Sequence, residues 1–150
     1  MKNYTLFIIG SLLMAACSGQ QSASVDAAKS QIEAFAEAYF NYDFRQAEKY
    51  VTPESGKWLR FAASNVTQED LDMINAQELA ATAVVSDCLQ TDDSTFQATV
   101  EVCNFLQKDS LEMPGTIVDH ALFKVMAVER EGNYLVRMAC LPRSERQNPD

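Results

Sequence analysis

The stretch Asp26-Ala-Ala-Lys-Ser-Gln-Ile-Glu-Ala-Phe-Ala-Glu-Ala-Tyr-Phe-Asn41 decides the fold class, because Ile32, Phe35, Ala36, Tyr39 and Phe40 recur at the spacing of one helix face. Ser24, just ahead of it, stands where an N-cap belongs. A helix with one continuous apolar stripe must bury that stripe against a second layer. Downstream, Asn41-Tyr42-Asp43 has the chemistry of a turn, with Asp43 as the side-chain acceptor for backbone amides. Phe44, Ala47, Tyr50 and Val51 resume helical spacing and stop at Pro53. Thr52-Pro53-Glu54 opens a further helix expected to carry Trp58, Phe61 and Ala62 on one face. Thr67-Gln-Glu-Asp70 is a capping-box variant ahead of Leu71 and Ile74. Eight of the 14 aromatic residues lie between Phe35 and Phe61, so the helical layer is expected to supply most of the bulky core.

After Gln77 the texture changes. Glu78–Gln90, Thr95–Gln107, Asp119–Glu129 and Tyr134–Leu141 are rich in β-formers and read as four strands. Thr91-Asp-Asp-Ser94 and Arg130-Glu-Gly-Asn133 are compact hairpin turns, whereas Lys108–Val118, with Pro114-Gly115, is a looser link. Alternation puts Phe96, Ala98, Val100 and Val102 on one face of the second strand, and Phe123, Val125 and Ala127 on one face of the third. Helices first and a meander afterwards imply an α+β fold: a single domain with N-terminal helices packed on a curved antiparallel sheet of about four strands.

Phe35…Tyr39-Phe40-Asn41-Tyr42-Asp43-Phe44…Tyr50-Val51-Thr52-Pro53, with the late pair Val128-Glu-Arg-Glu-Gly-Asn-Tyr-Leu-Val136, resembles the nuclear transport factor 2-like superfamily, in particular its small bacterial lipoproteins of uncharacterised function. Tyr42-Asp43 stands where Gly-Asp is commoner in that superfamily, and Tyr134 where Trp is commoner. The resemblance spans about residues 25–141 and implies helices covering a sheet that curves into a cone. A cystatin-like or other helix-on-sheet arrangement is the alternative. Some members are isomerases or dehydratases with Asp, His or Tyr inside the cone, which singles out His120 as a weak catalytic candidate, with Asp119, Asp43 or Tyr39 as possible neighbours. The plainer reading of His120 is a partly exposed residue at a strand end. Glu69, Asp70 and Asp72, like Asp92 and Asp93, read as solvated charges without calcium-loop spacing.

Cys88, Cys103 and Cys140 leave at least one thiol over from any intramolecular pairing. If Gln90 faces Thr95, Cys88 lies opposite Gln97 and Cys103 opposite Thr82; if Arg130 faces Asn133, Cys140 lies opposite Phe123. No bridge is specified by these registers, so free thiols are expected. No metal site, no cofactor and no nucleophile-elbow, zincin, phosphate-loop or dinucleotide motif is present in the pattern.

At the start of the chain, Lys2, the apolar run Leu6–Met14 and the small pair Ala15-Ala16 have the layout of a secretory signal, and the run is too short to span a bilayer. Leu13-Met14-Ala15-Ala16-Cys17 resembles the bacterial lipobox, which implies acylation of Cys17 and removal of residues 1–16. The alternative is an ordinary signal peptide cut near Ala16 or Gly19, with Cys17 a bystander. Ser18 rather than Asp after the cysteine favours the outer membrane by the same resemblance. Residues 17–24 are then the lipidated Cys and a flexible tether, 25–142 the domain, and 143–150 a frayed tail.

The whole chain has 150 residues, with 12 basic and 21 acidic side chains and a formal charge of −9. Removing residues 1–16 takes away Lys2 and leaves −10. Such a body lacks the basic footprint of a nucleic-acid binder and would be held off anionic headgroups, so any membrane contact falls to the lipid on Cys17. The favoured function is a membrane-anchored binding or accessory module of the cell envelope with an unidentified protein or small-molecule ligand. The alternatives are a small isomerase- or dehydratase-like enzyme and a purely structural envelope protein.

Overall fold

Ala28, Ile32, Phe35, Ala36, Ala38 and Phe40 line the buried face of the first helix, α1 (Ala16–Phe40), in the computed structural model, which describes residues 16–145. The apolar stripe is where its spacing places it. The helix start is not. Ser24 lies inside α1 and its Oγ donates to the Gln20 carbonyl at 3.0 Å, so it is not an N-cap. Residues 18–24 are therefore helical rather than a flexible tether: the stretch contains no Pro, and adding turns to an existing helix avoids the cost of nucleation. Residues 1–15 of the expected signal and 146–150 of the expected tail lie outside the described residues.

The chain leaves α1 through Tyr42, whose φ of 62° is left-handed, a conformation that favours Gly or Asn. Its ring packs against Phe44 at 5.4 Å and its hydroxyl donates to the Leu106 carbonyl at 3.1 Å, contacts a glycine could not make. Asp43 then caps α2 (Phe44–Ala47) by accepting the Gln46 amide at 3.0 Å. Two 3₁₀ turns, Glu48–Tyr50 and Pro53–Ser55, lead into α3 (Gly56–Ser64). These turns rotate the following helix, so Leu59 is buried while Phe61 is 42% exposed and Trp58 is half-buried at the rim. Of the face expected from Trp58, Phe61 and Ala62, Trp58 packs against the core from its edge, whereas Phe61 does not pack there. α4 (Gln68–Ala76) begins with the expected capping box between Thr67 and Asp70.

The sheet is an antiparallel meander of β1 (Thr82–Gln90), β2 (Thr95–Gln107), β3 (Thr116–Arg130) and β4 (Asn133–Arg137) in sequential order. The fold is α+β, with the N-terminal helices on one sheet face. Gln90 pairs with Phe96 rather than Thr95, which puts Cys88 opposite Ala98 instead of Gln97, and a bulge between Val85 and Asp87 then restores the expected pairing of Thr82 with Cys103. β1 starts later than Glu78, and β3 starts earlier than Asp119. Glu131 and Gly132, at φ 54° and 79°, make the tight turn that sets Arg130 opposite Asn133. β4 ends at Arg137, so Cys140 never reaches Phe123; Ser144 bridges Phe123 instead, and Glu145 N–H donates to the Leu122 carbonyl at 2.8 Å. Residues 143–145 are thereby tied to the sheet rather than frayed.

The space between α1 and the sheet is filled. Phe40, Phe105 and Phe123 meet with centroids 4.6 to 5.5 Å apart, and Phe35, Phe96 and Ile32 are buried around them. Asn41 pins the start of β1 to the end of α1: its side chain donates to the Ala81 carbonyl and accepts the Ala81 amide, both at 2.9 Å.

Candidate functional site

His120 lies on β3 opposite Cys103, on the sheet face turned away from the helices, since Val102 and Ala121 occupy the inward positions beside it. Its Nε2 is 2.7 Å from Glu101 Oε1, and both side chains are nearly half exposed. Neither Asp119, Asp43 nor Tyr39 is its partner. Asp43 is committed to capping α2, and Tyr39 packs against Phe35, Phe40 and Phe44. Burial, reinforced by Tyr42 and Cys140, pushes the Tyr39 phenol far above its ordinary value, which leaves it ineffective as a neutral-pH acid or base. The catalytic constellation considered around His120 is therefore not assembled. Cys88 and Cys103 are half-buried, Cys140 is exposed, and all three are outside any disulfide.

Asp70 departs furthest from its expected role. It is fully buried rather than solvated. Its Oδ1 accepts the Gly115 amide at 2.9 Å, while Oδ2 accepts the Thr67 amide at 2.9 Å and the Lys108 ammonium at 2.5 Å. Lys108 also donates to the Asn65 carbonyl at 3.1 Å. Burial alone would push the Asp70 carboxyl up, but the Gly115 amide, Lys108 and Thr67 together outweigh it and hold the group far below the ordinary carboxylate range. Burial and the nearby Asp70 charge push the Tyr42 phenol up to about 12. A Cβ on Gly115 would come within 2.8 Å of the Gln107 carbonyl, so only glycine brings its amide this close. The site is a closed structural clamp, with its acceptor oxygens already used.

Among the described residues, open clefts lie at two places on the surface. One, about 340 Å³, lies over α1 and α2, but Asn41, Asp43 and Gln46 on its wall are bonded to Ala81, the Gln46 amide and Tyr50 respectively. The other, also about 340 Å³, forms where the Pro53–Ser55 turn and α3 meet the exit of β4. Its floor is rigid: Ser55 Oγ is 2.7 Å from Thr52 Oγ1 and accepts the Met138 amide at 2.8 Å, and the Thr52 amide donates to the Val136 carbonyl at 2.9 Å. Trp58 forms one wall, with Lys57 Nζ 5.3 Å from its ring centroid. Arg130 and Arg137 form the other.

Arg130 Nη1 reaches both carboxylate oxygens of Glu54, at 2.9 and 3.0 Å. The Glu54 carboxyl is held below its ordinary range first by a backbone amide, then by Arg130 and Thr52. Arg137 Nη2 rests 3.0 Å from the sulfur of Met126, a weak acceptor, and no carboxylate lies within ion-pair distance of it among the described residues. Nothing in the sequence pattern singled out this cleft. Its residues come from segments about 80 positions apart, brought together by the edge pairing of Val51 with Val136 and the bonds of Thr52, Ser55 and Glu54 across it.

No family model matches the sequence, and no curated protein matches it. Among solved structures, one described as "Ntf2 like protein involved in plasmid conjugation" aligns at 14% identity and a TM-score of 0.36, over 82% of this chain and 51% of that one. This chain thus spans about half the length of that structure. The α+β assignment rests on the elements themselves.

Proposed function

We propose that this chain is a bacterial envelope lipoprotein: an acylated Cys17 holds it at a membrane, favoured to be the outer one, and its α+β domain is a binding or accessory module rather than an enzyme. The observation that carries the module reading is the filled interior. Phe35, Phe40, Phe96, Phe105 and Phe123 occupy the space where a cone-shaped active site would need a chamber, and His120 lies on the open sheet face. What remains for a ligand is the surface, where the Trp58 cleft offers an aromatic wall on a hydrogen-bonded floor.

The anchoring half rests on Leu13-Met14-Ala15-Ala16-Cys17. Among the described residues no helix is long and apolar enough to cross a membrane. Each buried lipid methylene contributes about 0.8 kcal/mol, and more than one chain is needed for stable attachment. Because residues 18–24 continue α1, the domain would stand about 10 Å from the acylated end on a helical spacer at ~1.5 Å per residue. Fractionation of cells producing the wild type and Cys17→Ser tests this. The wild type is expected with membranes and released by detergent, and Cys17→Ser in the soluble fraction. A Cys17→Ser protein that stays with membranes would refute anchoring through this residue.

A further inference from the structure

We infer that the Trp58 cleft is a binding site for a small planar apolar molecule carrying an anionic group such as a carboxylate, with Trp58 as the stacking wall and Arg137 as the anion's partner. The inference rests on the module reading and specifies the class of its ligand.

Charge is the first ground. The chain carries a net −9, yet this cleft gathers Lys57, Arg130 and Arg137 against one carboxylate, Glu54. Arg130 is already neutralised by Glu54, Lys57 lies over the Trp58 ring at 5.3 Å, and Arg137 has only a thioether sulfur at 3.0 Å. A guanidinium so placed keeps planar donors for a carboxylate, which it can meet in a bidentate fork. Glu54, held in place by Arg130, sets a negative edge that an anion must avoid, so it restricts where along the cleft the ligand's charge can sit.

Shape is the second ground. A cleft of about 340 Å³ is at the lower end of small-molecule sites and sufficient for a two-ring compound. The Trp58 face is half-buried, and Met138 closes the floor while only 9% exposed. Ser55 and Thr52 satisfy each other and the Met138 amide below the surface, so the floor offers no unpaired polar group to an apolar ring. The ring face is then selected by contact with Trp58 and Met138, and the charge by Arg137.

Trp58 is the single tryptophan of the sequence, so its indole Nε1–H gives one assignable NMR resonance within the cleft. The full-length protein in phosphatidylcholine nanodiscs is titrated with 2-naphthoate, with its neutral isostere 2-naphthamide, and with inorganic phosphate. Naphthoate is expected to shift the Trp58 resonance saturably and to bind about tenfold tighter than naphthamide, the effect of one charge-assisted contact. Arg137→Gln is expected to remove that advantage, so that naphthoate binds no tighter than naphthamide. Arg137 is exposed on β4, so this variant keeps the fold, which the dispersion of the remaining spectrum verifies. Equal binding of the two naphthyl compounds overturns the anionic class, and naphthoate binding unaffected by Arg137→Gln overturns Arg137 as the anion's partner. Phosphate binding as tightly as naphthoate overturns the role of the Trp58 wall, and no saturable shift with any probe overturns the site. None of these results bears on membrane attachment, which the Cys17→Ser fractionation decides separately.

Discussion

Asp70 and Lys108, 38 positions apart, form a buried ion pair in which the Lys108 ammonium lies 2.5 Å from Asp70 Oδ2. The pair joins the first turn of α4 to the segment leaving β2, and the Gly115 amide on the other oxygen closes the loop that follows. Removing one partner of such a pair leaves an uncompensated buried charge. Asp70→Asn is therefore expected to lower unfolding free energy by about 3–5 kcal/mol in urea titration, and Asp70→Asn with Lys108→Met to recover part of the loss. A loss within about 0.5 kcal/mol would contradict the clamp.

The same carboxyl sets an acid limb of stability. Its folded-state pKa lies below the unfolded value, so in acid the unfolded chain binds the extra proton and folding weakens as pH falls. The contribution is complete above about pH 5, roughly a unit above the unfolded carboxyl pKa of about 3.9, and is lost progressively below that. Unfolding midpoints measured across that range should fall less steeply in Asp70→Asn than in the wild type. Identical slopes would show that Asp70 is not held ionised in the fold.

Face assignment in α3 separates two neighbouring residues. Leu59 is 2% exposed and Phe61 42%. Leu59→Ala should cost about 2–5 kcal/mol, as for other core truncations, and Phe61→Ser about 0.5 kcal/mol or less. The reverse order in chemical denaturation would mean that the sequence spacing, and not the 3₁₀ turn, orients the helix.

Cysteine reactivity follows exposure. Cys140 is exposed, whereas Cys88 is half-buried with its thiol pushed up first by burial and then by Asp87. Iodoacetamide at neutral pH should modify Cys140 about tenfold faster than Cys88, as read by peptide mass spectrometry. Faster labelling of Cys88 would contradict this packing.

The sheet was legible because its signals are local: Arg130-Glu-Gly-Asn133 fixes its own hairpin, and alternation assigns Phe96 through Val102 to one face. The Thr67–Asp70 capping box was legible for the same reason. The burial of Asp70 was not, since its decisive partners, Lys108 and Gly115, are 38 and 45 positions away and nothing in a capping box signals whether the carboxylate is covered. The turn after Gln90 is one residue longer than Thr91–Ser94, since Gln90 faces Phe96, so Cys88 shifted by one position, and the bulge between Val85 and Asp87 that restores the register has no turn residue to announce it. The cleft was invisible for a related reason: Trp58 reads as a core aromatic until the 3₁₀ turn before it is known, and the Tyr134–Leu141 reading puts Arg137 in mid-strand until β4 is seen to stop there.

The central claim is a domain carried on a lipid at Cys17, and intact mass spectrometry of the protein extracted from its native membranes reads it directly. The expected species begins at Cys17, lacks residues 1–16 and carries the added mass of a diacylglyceryl group with a further acyl chain. A chain that retains those residues, or one that begins near Cys17 with an unmodified thiol, would contradict it.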